Sequence, residues 1–220
     1  MEDDDPRLAT ILTFAQASAL TDSNVPTLRR WSRPVKTRDA LVTARANLRR
    51  GWPTISLIGL AEAATVSHLR GLGMSMPRVV EFTEFLRERY NERHALAVPR
   101  FVTDGSRVYE DLDGDLNDLV TGQGAFYEVL APFLQELHAW EDGFAGAFRP
   151  VGALRTDAVE IDPRFNAGRL SFRRNRVPLF AVVGSLDAGD DVATVMRDYR
   201  LMADEVGLVE RHKSWLRQVA

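Results

Sequence analysis

From Thr13 to Trp31 the sequence reads TFAQASALTDSNVPTLRRW, with apolar residues at helical spacing on both sides of a short polar segment. Thr13 is a residue type that favours the N-cap position, and it precedes a helix predicted over Phe14–Leu20. Residues 21–24 form a polar turn, and a second helix runs through Trp31 until Pro34 stops it. This pattern predicts a helix-turn-helix unit.

Two more helices are predicted in the N-terminal part of the chain. Apolar residues recur at helical spacing from Ile55 to Leu69, and the glycines at 71 and 73 end this helix. Ser75 then caps an amphipathic helix whose apolar stripe includes Phe82. The order is therefore helix, turn, helix, loop, helix, turn, helix.

The hydrophobic period changes in the middle of the chain. Between Phe101 and Val120, two strand-like runs flank Asp113-Gly114, a dipeptide that suits a tight hairpin because both residues tolerate positive φ. From Phe126 to Leu137 the helical spacing returns, with Pro132 as a helix start or a kink. A β-hairpin followed by a helix is the prediction for this region.

The C-terminal part is predicted to contain one strand and three helices. The strand covers Val159–Ile161, and an arginine-rich loop follows it. The helices cover Phe180–Leu186, Val192–Tyr199 and the residues from Ala203 onward. Their tight turns again indicate a helix-turn-helix-like shape.

These elements predict a mainly α fold with minor β structure. We expect a winged helix-turn-helix-like domain over residues 1–100 and a connecting or dimerisation region of hairpin and helix over 101–150. A small helical domain is expected over 151–220, after a connector near Arg149–Asp157.

Composition excludes several kinds of chemistry. The 220 residues contain no cysteine, which removes disulfides, thiolate nucleophiles and cysteine-ligated metals. The four histidines are scattered without metal-ligand spacing, and no nucleophile elbow, phosphate loop or dinucleotide fingerprint occurs. We therefore predict a protein that is not an enzyme and uses no metal or cofactor. The acidic start and the lack of a long apolar run predict a cytoplasmic chain without membrane contact.

The net charge of −3 conceals an uneven distribution of charge. From Pro26 to Trp52 there are eight basic residues against the single acid Asp39, whereas residues 104–142 are strongly acidic. A second basic cluster lies at 164–176. A run of charge is often only a solvated face, but two arginine-rich stretches in a slightly acidic chain indicate anionic partners.

The first basic stretch predicts DNA binding. A DNA-reading helix carries small polar and basic residues near its start, and arginine binds guanine edges or phosphates. The loop that follows the second helix would serve as a wing against the DNA backbone or the minor groove. The alternative is a helical hairpin whose arginines only face water. The predicted DNA contacts are Thr27, Arg29, Arg30, Arg33, Lys36, Arg38, Arg45, Arg49 and Arg50.

Several of these residues also mark a family resemblance. The Thr13–Trp31 segment, with Thr-Leu-Arg-Arg-Trp in the second helix, resembles the opening of MerR-like helix-turn-helix domains, and Leu72–Ser75 is similar to their continuation. The C-terminal part, with Val159-Glu-Ile-Asp-Pro-Arg and Ala188-Gly-Asp-Asp-Val, resembles an antitoxin-associated domain of unknown function. Together the parts are similar to the longer, atypical VapB-type antitoxins.

This resemblance implies a function. An antitoxin of this kind neutralises a PIN-domain, VapC-type ribonuclease and represses its own operon, and a palindromic operator would imply a homodimer. PIN-domain ribonucleases hold carboxylates around magnesium, which an arginine of the antitoxin can approach. The alternative for the second basic cluster is a solvated loop or a further DNA contact. The predicted toxin contacts are Arg169, Leu170, Phe172, Arg173, Arg174, Arg176 and Phe180.

Two other functions stay open at this point. In a stand-alone MerR-like transcriptional regulator, the region from Phe101 to Leu137 would serve dimerisation or ligand sensing. In a metal-dependent hydrolase, the acidic hairpin with Asp111 and Asp113 would carry the chemistry.

Overall fold

The computed structural model describes residues 5–35, 38–45, 51–104, 130, 132–134, 138–139, 142–150, 154 and 157–219. Helices dominate this part of the chain, and its strands form sheets of two strands each. The predicted fold class, mainly α with minor β, is confirmed.

The helix-turn-helix lies where the sequence predicts it. Helix α1 spans Phe14–Thr21, and the Thr13 side chain caps it through a capping box. The chain turns at Asp22, whose left-handed φ of 52° is tolerated by a short polar side chain. Helix α2 then spans Val25–Trp31.

A small two-stranded sheet flanks the helix-turn-helix. Strand β1 (Thr10–Leu12) pairs antiparallel with β2 (Ile55–Ser56), and Ala44 adds an isolated bridge to β2. The chain between α2 and this sheet therefore folds back beside the helix-turn-helix. We call residues 38–56 the wing, of which 46–50 lie outside the described part.

Two long helices complete the N-terminal part. Helix α3 spans Leu57–Gly71 and is buried along most of its length, and α4 spans Met76–Tyr90. A 3-10 turn at Ala95–Ala97 and a helix over 99–104 follow. Phe101, where the hydrophobic period was predicted to change, is therefore helical.

The middle region is described only in part. The predicted hairpin around Asp113-Gly114 lies outside the described residues. Residues 132–134 are helical, in agreement with the helix predicted there. Strand β3 (His138–Ala139) pairs antiparallel with β4 (Ala145–Ala147).

The C-terminal part follows the predicted order with one correction. Strand β5 spans Val159–Glu160, and the arginine-rich segment predicted as a loop contains β6 (Ser171–Phe172), which pairs with β5. The buried Phe172 side chain explains this pairing, because it places part of the segment in the core. Helices α5 (Leu179–Ala188), α6 (Val192–Tyr199) and α7 (Ala203–Val219) follow.

The two ends of the chain pack against each other. Helix α7 contacts α1, and the Gln16 side chain donates a hydrogen bond to the Val219 carbonyl at 3.2 Å. Buried residues of the N-terminal and C-terminal parts belong to one hydrophobic cluster. None of the helices in the described ranges combines the length and the apolar character that crossing a bilayer requires.

Candidate nucleic-acid interface and arginine clusters

Helix α2 presents a basic face to solvent and an apolar face to the core. Leu28 and Trp31 are buried, whereas Arg29 and Arg30 are exposed. Thr27 is half-buried near the start of the helix, where its backbone N–H donates to the capping Asn24 side chain. The buried apolar face and the exposed basic face agree with the helical periodicity of the sequence.

A groove that we call the wing groove separates α2 from the wing. It has a volume of about 530 Å³ and is lined by Arg29, Arg33 and Arg45, with Phe14 and Thr54 among the other lining residues. No carboxylate occurs among the described residues that line it. The Arg29 guanidinium lies over the Phe14 ring, 5.6 Å from its centroid, which holds one cation at the edge of the groove.

Buried polar contacts fix the wing beside α2. The Thr43 N–H donates to the carboxylate of Glu62 at 2.5 Å, and the Thr43 hydroxyl lies 3.1 Å from His94 Nδ1. Glu62 is 1% exposed and also contacts His94 Nδ1 at 3.0 Å. The Arg45 N–H donates to the Thr54 carbonyl, and this hydrogen bond joins the described residues of the wing that precede and follow positions 46–50. The wing therefore has a defined position relative to α2.

Sequence reasoning did not identify this support. A single acid within the apolar run of α3 was the available signal, because a carboxylate placed there needs a hydrogen-bond donor. The partner His94 lies 32 residues further along the chain, and no spacing rule connects the two side chains.

A second cleft also borders α2. Its volume is about 590 Å³, and its lining includes Arg30 and Trp31 of α2, Arg70 at the end of α3, and Asp22. Helix α2 thus borders two clefts, each lined by at least one arginine of the helix itself.

The remaining predicted DNA contacts divide into two groups. Arg33 and Arg38 are exposed. Lys36, Arg49 and Arg50 lie outside the described residues, as do Asp111 and Asp113 of the acidic hairpin. Within the described residues, no three His, Asp or Glu side chains converge as a metal ion would require.

The C-terminal arginine cluster is largely paired with buried acids. Glu160, which is 4% exposed, forms salt bridges with Arg173 at 3.2 Å and with Arg176. Asp162, which is 2% exposed, forms a salt bridge with Arg164 at 2.6 Å, and the hydrogen bonds of this pair raise the pKa of Arg164. These arginines hold the segment in place.

Arg174 pairs with the third buried acid. Its guanidinium lies 2.7 Å from the Glu205 carboxylate on α7. Burial raises the pKa of Glu205, but the hydrogen bonds from Arg174 and from the Met202 N–H lower it further than burial raises it. The pair joins the arginine segment to α7.

Arg169 differs from its neighbours. It has no carboxylate partner among the described residues, and its guanidinium lies over the Phe180 ring, 4.6 Å from the centroid. Phe180 is 39% exposed, and Phe165, on which Arg176 stacks at 4.1 Å, is 38% exposed.

The other two predicted toxin contacts lie in the core. Leu170 and Phe172 are 5% and 0% exposed, so their side chains support the arginine segment from within the fold. They present no apolar surface to a partner in this conformation. The sequence pattern placed them beside the arginines but did not indicate which side they face.

Comparison with known proteins identifies a shared architecture. Models of known protein families do not match this sequence, and neither do curated proteins. The crystal structure of Rv2018 from Mycobacterium tuberculosis is similar to this chain, with a TM-score of 0.73 and 26% sequence identity. The similarity covers 91% of this chain and 97% of the Rv2018 chain.

Proposed function

We propose that the protein is a DNA-binding antitoxin. Acting as a homodimer, it represses its own operon through the helix-turn-helix and neutralises a PIN-domain ribonuclease through its C-terminal part. The observation that best supports the proposed DNA-binding role is the wing groove. It is lined by Arg29, Arg33 and Arg45, and no carboxylate occurs among its described lining residues.

The groove suits a duplex for a simple geometric reason. The major groove of B-DNA admits one α-helix, and the phosphate backbones then run along both sides of that helix. Arg29 and Arg30 extend from α2 itself, whereas Arg45 belongs to the wing and lines the groove, and we propose that it contacts the DNA backbone. Phosphate contacts of this kind supply affinity that falls steeply with salt.

The DNA half is tested by a gel-shift titration. The protein is titrated against a fragment of its own promoter at two salt concentrations, and Arg29→Ala/Arg30→Ala is expected to weaken binding at both. The matched control is Arg197→Ala/Arg211→Ala, which removes the same charge from exposed positions on α6 and α7. Equal binding by wild type and by the α2 double variant would exclude α2 as the DNA-reading helix.

A specific observation supports the antitoxin half. In the cluster at 164–176, Arg169 is the arginine without a carboxylate partner among the described residues, and it stands beside the exposed Phe180 ring. A guanidinium next to an exposed aromatic ring is a common anchor at protein interfaces. The carboxylates of a PIN-domain ribonuclease would give Arg169 the partner that its neighbours already have within the chain.

The matching experiment measures inhibition of any PIN-domain ribonuclease whose gene lies beside that of this protein. Arg169→Ala and Phe180→Ala are expected to weaken inhibition, whereas Arg197→Ala is not. Arg173 and Arg174 are poorer probes, since replacing them leaves Glu160 or Glu205 less well paired and perturbs the fold. Full inhibition by both the Arg169 and the Phe180 variant would argue against this surface.

The neighbouring open reading frame separates this proposal from its main competitor. A ribonuclease gene with acidic motifs beside this one favours the antitoxin. Its absence, together with retained promoter binding, favours a stand-alone MerR-like regulator.

A further inference from the structure

A short irregular segment at the start of the wing is bound to helix α2. Residues 39–43, which we call the brace, form neither helix nor strand. The N–H groups of Leu41 and Val42 donate to the Trp31 carbonyl at the end of α2, at 2.9 and 3.1 Å. Both side chains are buried. The brace therefore connects the wing to the last residue of the helix that is proposed to read DNA.

Arg87 of α4 binds the brace directly. Its side chain is 12% exposed, and its Nη2 donates to the Ala40 carbonyl at 2.7 Å. Its Nε donates to the Arg93 carbonyl at 2.9 Å, and its Nη1 donates to the Glu84 carboxylate at 3.0 Å. One guanidinium, with its planar fork of donors, thus joins α4, the brace and the chain that follows α4.

The chain that follows α4 makes further contacts with the brace. His94 Nδ1 lies 3.1 Å from the Thr43 hydroxyl, and His94 directly follows Arg93, whose carbonyl Arg87 binds. Arg93 and Asp39 form a salt bridge at 3.4 Å, but both side chains are more than half exposed, so this pair adds little. Arg87 therefore supports the brace directly at Ala40 and, through the Arg93–His94 segment, at Thr43.

The position of the brace determines the position of the wing side of the wing groove. Thr43 directly precedes Ala44 and Arg45, and both of these residues line the groove. The other contacts of the brace are with the Trp31 carbonyl of α2. A backbone without a regular ladder of hydrogen bonds keeps such a position only through tertiary contacts. The contacts of the brace therefore set where Arg45 lies relative to α2.

We infer that Arg87 is a positioning residue for DNA binding, because it holds the brace and the brace holds Arg45 beside α2. Arg87 does not occur among the described residues that line the wing groove, so it acts through the wing and not by contact with DNA. Its hold on the brace is independent of the proposed function, whereas its effect on DNA binding rests on that function.

Amide hydrogen exchange tests the hold on the brace without DNA. In Arg87→Gln, the Leu41 and Val42 amides are expected to exchange roughly tenfold faster than in wild type, because the brace loses a hydrogen bond from a charged donor. The Val209 amide in the middle of α7 reports unfolding of the whole chain and is expected to change less. Arg87→Lys keeps one charged donor, so a smaller acceleration is expected, and this variant carries the comparison if Arg87→Gln does not fold.

The matched control is Arg89→Gln. It removes the same charge from the same helix at an exposed position, and its brace amides are expected to exchange as in wild type. Equal acceleration of the brace amides and of Val209 in the Arg87 variants would overturn the inference. The same exchange pattern in Arg87→Gln and Arg89→Gln would also overturn it.

DNA binding is then measured with the same variants. The slope of log affinity for DNA against log salt is expected to fall by about 0.9 in Arg87→Gln, as the loss of the Arg45 phosphate contact requires, and to stay unchanged in Arg89→Gln. An unchanged slope in Arg87→Gln, with faster exchange in the brace, would overturn the role of Arg87 in DNA binding. If the wild-type protein does not bind DNA, the proposed function fails, and the exchange experiment still decides whether Arg87 holds the brace.

Discussion

Replacing Gly59 with alanine tests the position of the wing. Gly59 lies in the first turn of α3, and a Cβ there would overlap the Thr43 carbonyl oxygen of the wing, well inside van der Waals contact. Thr43 is also bound by the buried Glu62 carboxylate through its N–H. The added methyl group therefore forces the wing away from α3 and disturbs that hydrogen bond.

The size of the effect follows from three contributions. Overpacking costs about 1–3 kcal/mol, and weakening a hydrogen bond to a buried carboxylate costs about 1.5–3 kcal/mol. Alanine recovers about 1 kcal/mol in helix propensity. We expect Gly59→Ala to lower the free energy of unfolding by about 3 kcal/mol, which for a chain of this length lowers Tm by about 6–12 °C.

The same helix supplies the matched control. Gly71 ends α3, and a Cβ built there meets no atom within 4 Å. Gly71→Ala is therefore expected to be neutral or slightly stabilising. Thermal and urea unfolding of both variants are compared with wild type. If Gly59→Ala proves as stable as Gly71→Ala, the wing does not pack against α3 as described, and the wing groove loses its basis.

Three further predictions address Arg45 in the wing, Glu205 beside the C-terminal arginines, and the contact between Gly168 and Ile11. Arg45→Ala is expected to reduce the slope of log affinity for DNA against log salt by about 0.9, as the loss of one phosphate contact requires; an unchanged slope would remove Arg45 from the interface. The lowered pKa of Glu205 stabilises the fold above the ordinary value of 4.5, and this stability is lost as pH falls through the folded-state pKa. Glu205→Gln should therefore flatten the acid limb of a plot of stability against pH, and an unaltered limb would contradict the pairing with Arg174. Gly168→Ala is expected to destabilise the protein, because φ there is +73° and a Cβ would lie 2.7 Å from the Ile11 side chain. When Ile11→Ala is added to this variant, part of the lost Tm should be recovered in thermal unfolding.

Local sequence signals account for most of the fold that was predicted. Thr13 and Asp191 cap α1 and α6 with their side chains, and Pro34 and Gly189 follow the ends of α2 and α5. These signals act over three or four residues, so they are readable in a single sequence. Strand β6 was not predicted, because its two residues depend on pairing with β5. Such pairing leaves little local pattern in the sequence.

The candidate site was predictable to a smaller extent. The exposed arginines of α2 follow from helical periodicity once Leu28 and Trp31 are assigned to the core. The wing support did not follow, since Glu62 and His94 lie far apart in the sequence. The burial of Leu170 and Phe172 was also missed, because a two-residue strand offers too little alternation to indicate which side faces the core.

The two basic clusters show why a count of charges is a poor guide to binding. At 164–176, the arginines other than Arg169 lie beside three carboxylates that are each at most 5% exposed, so most of that charge is neutralised within the fold. Around α2 and the wing, Arg29, Arg33 and Arg45 have no such partners among the described residues. A negatively charged partner gains the most binding free energy at arginines that do not already form a salt bridge within the protein. Anion binding is therefore expected mainly at the N-terminal cluster, and at the C-terminal cluster only through Arg169.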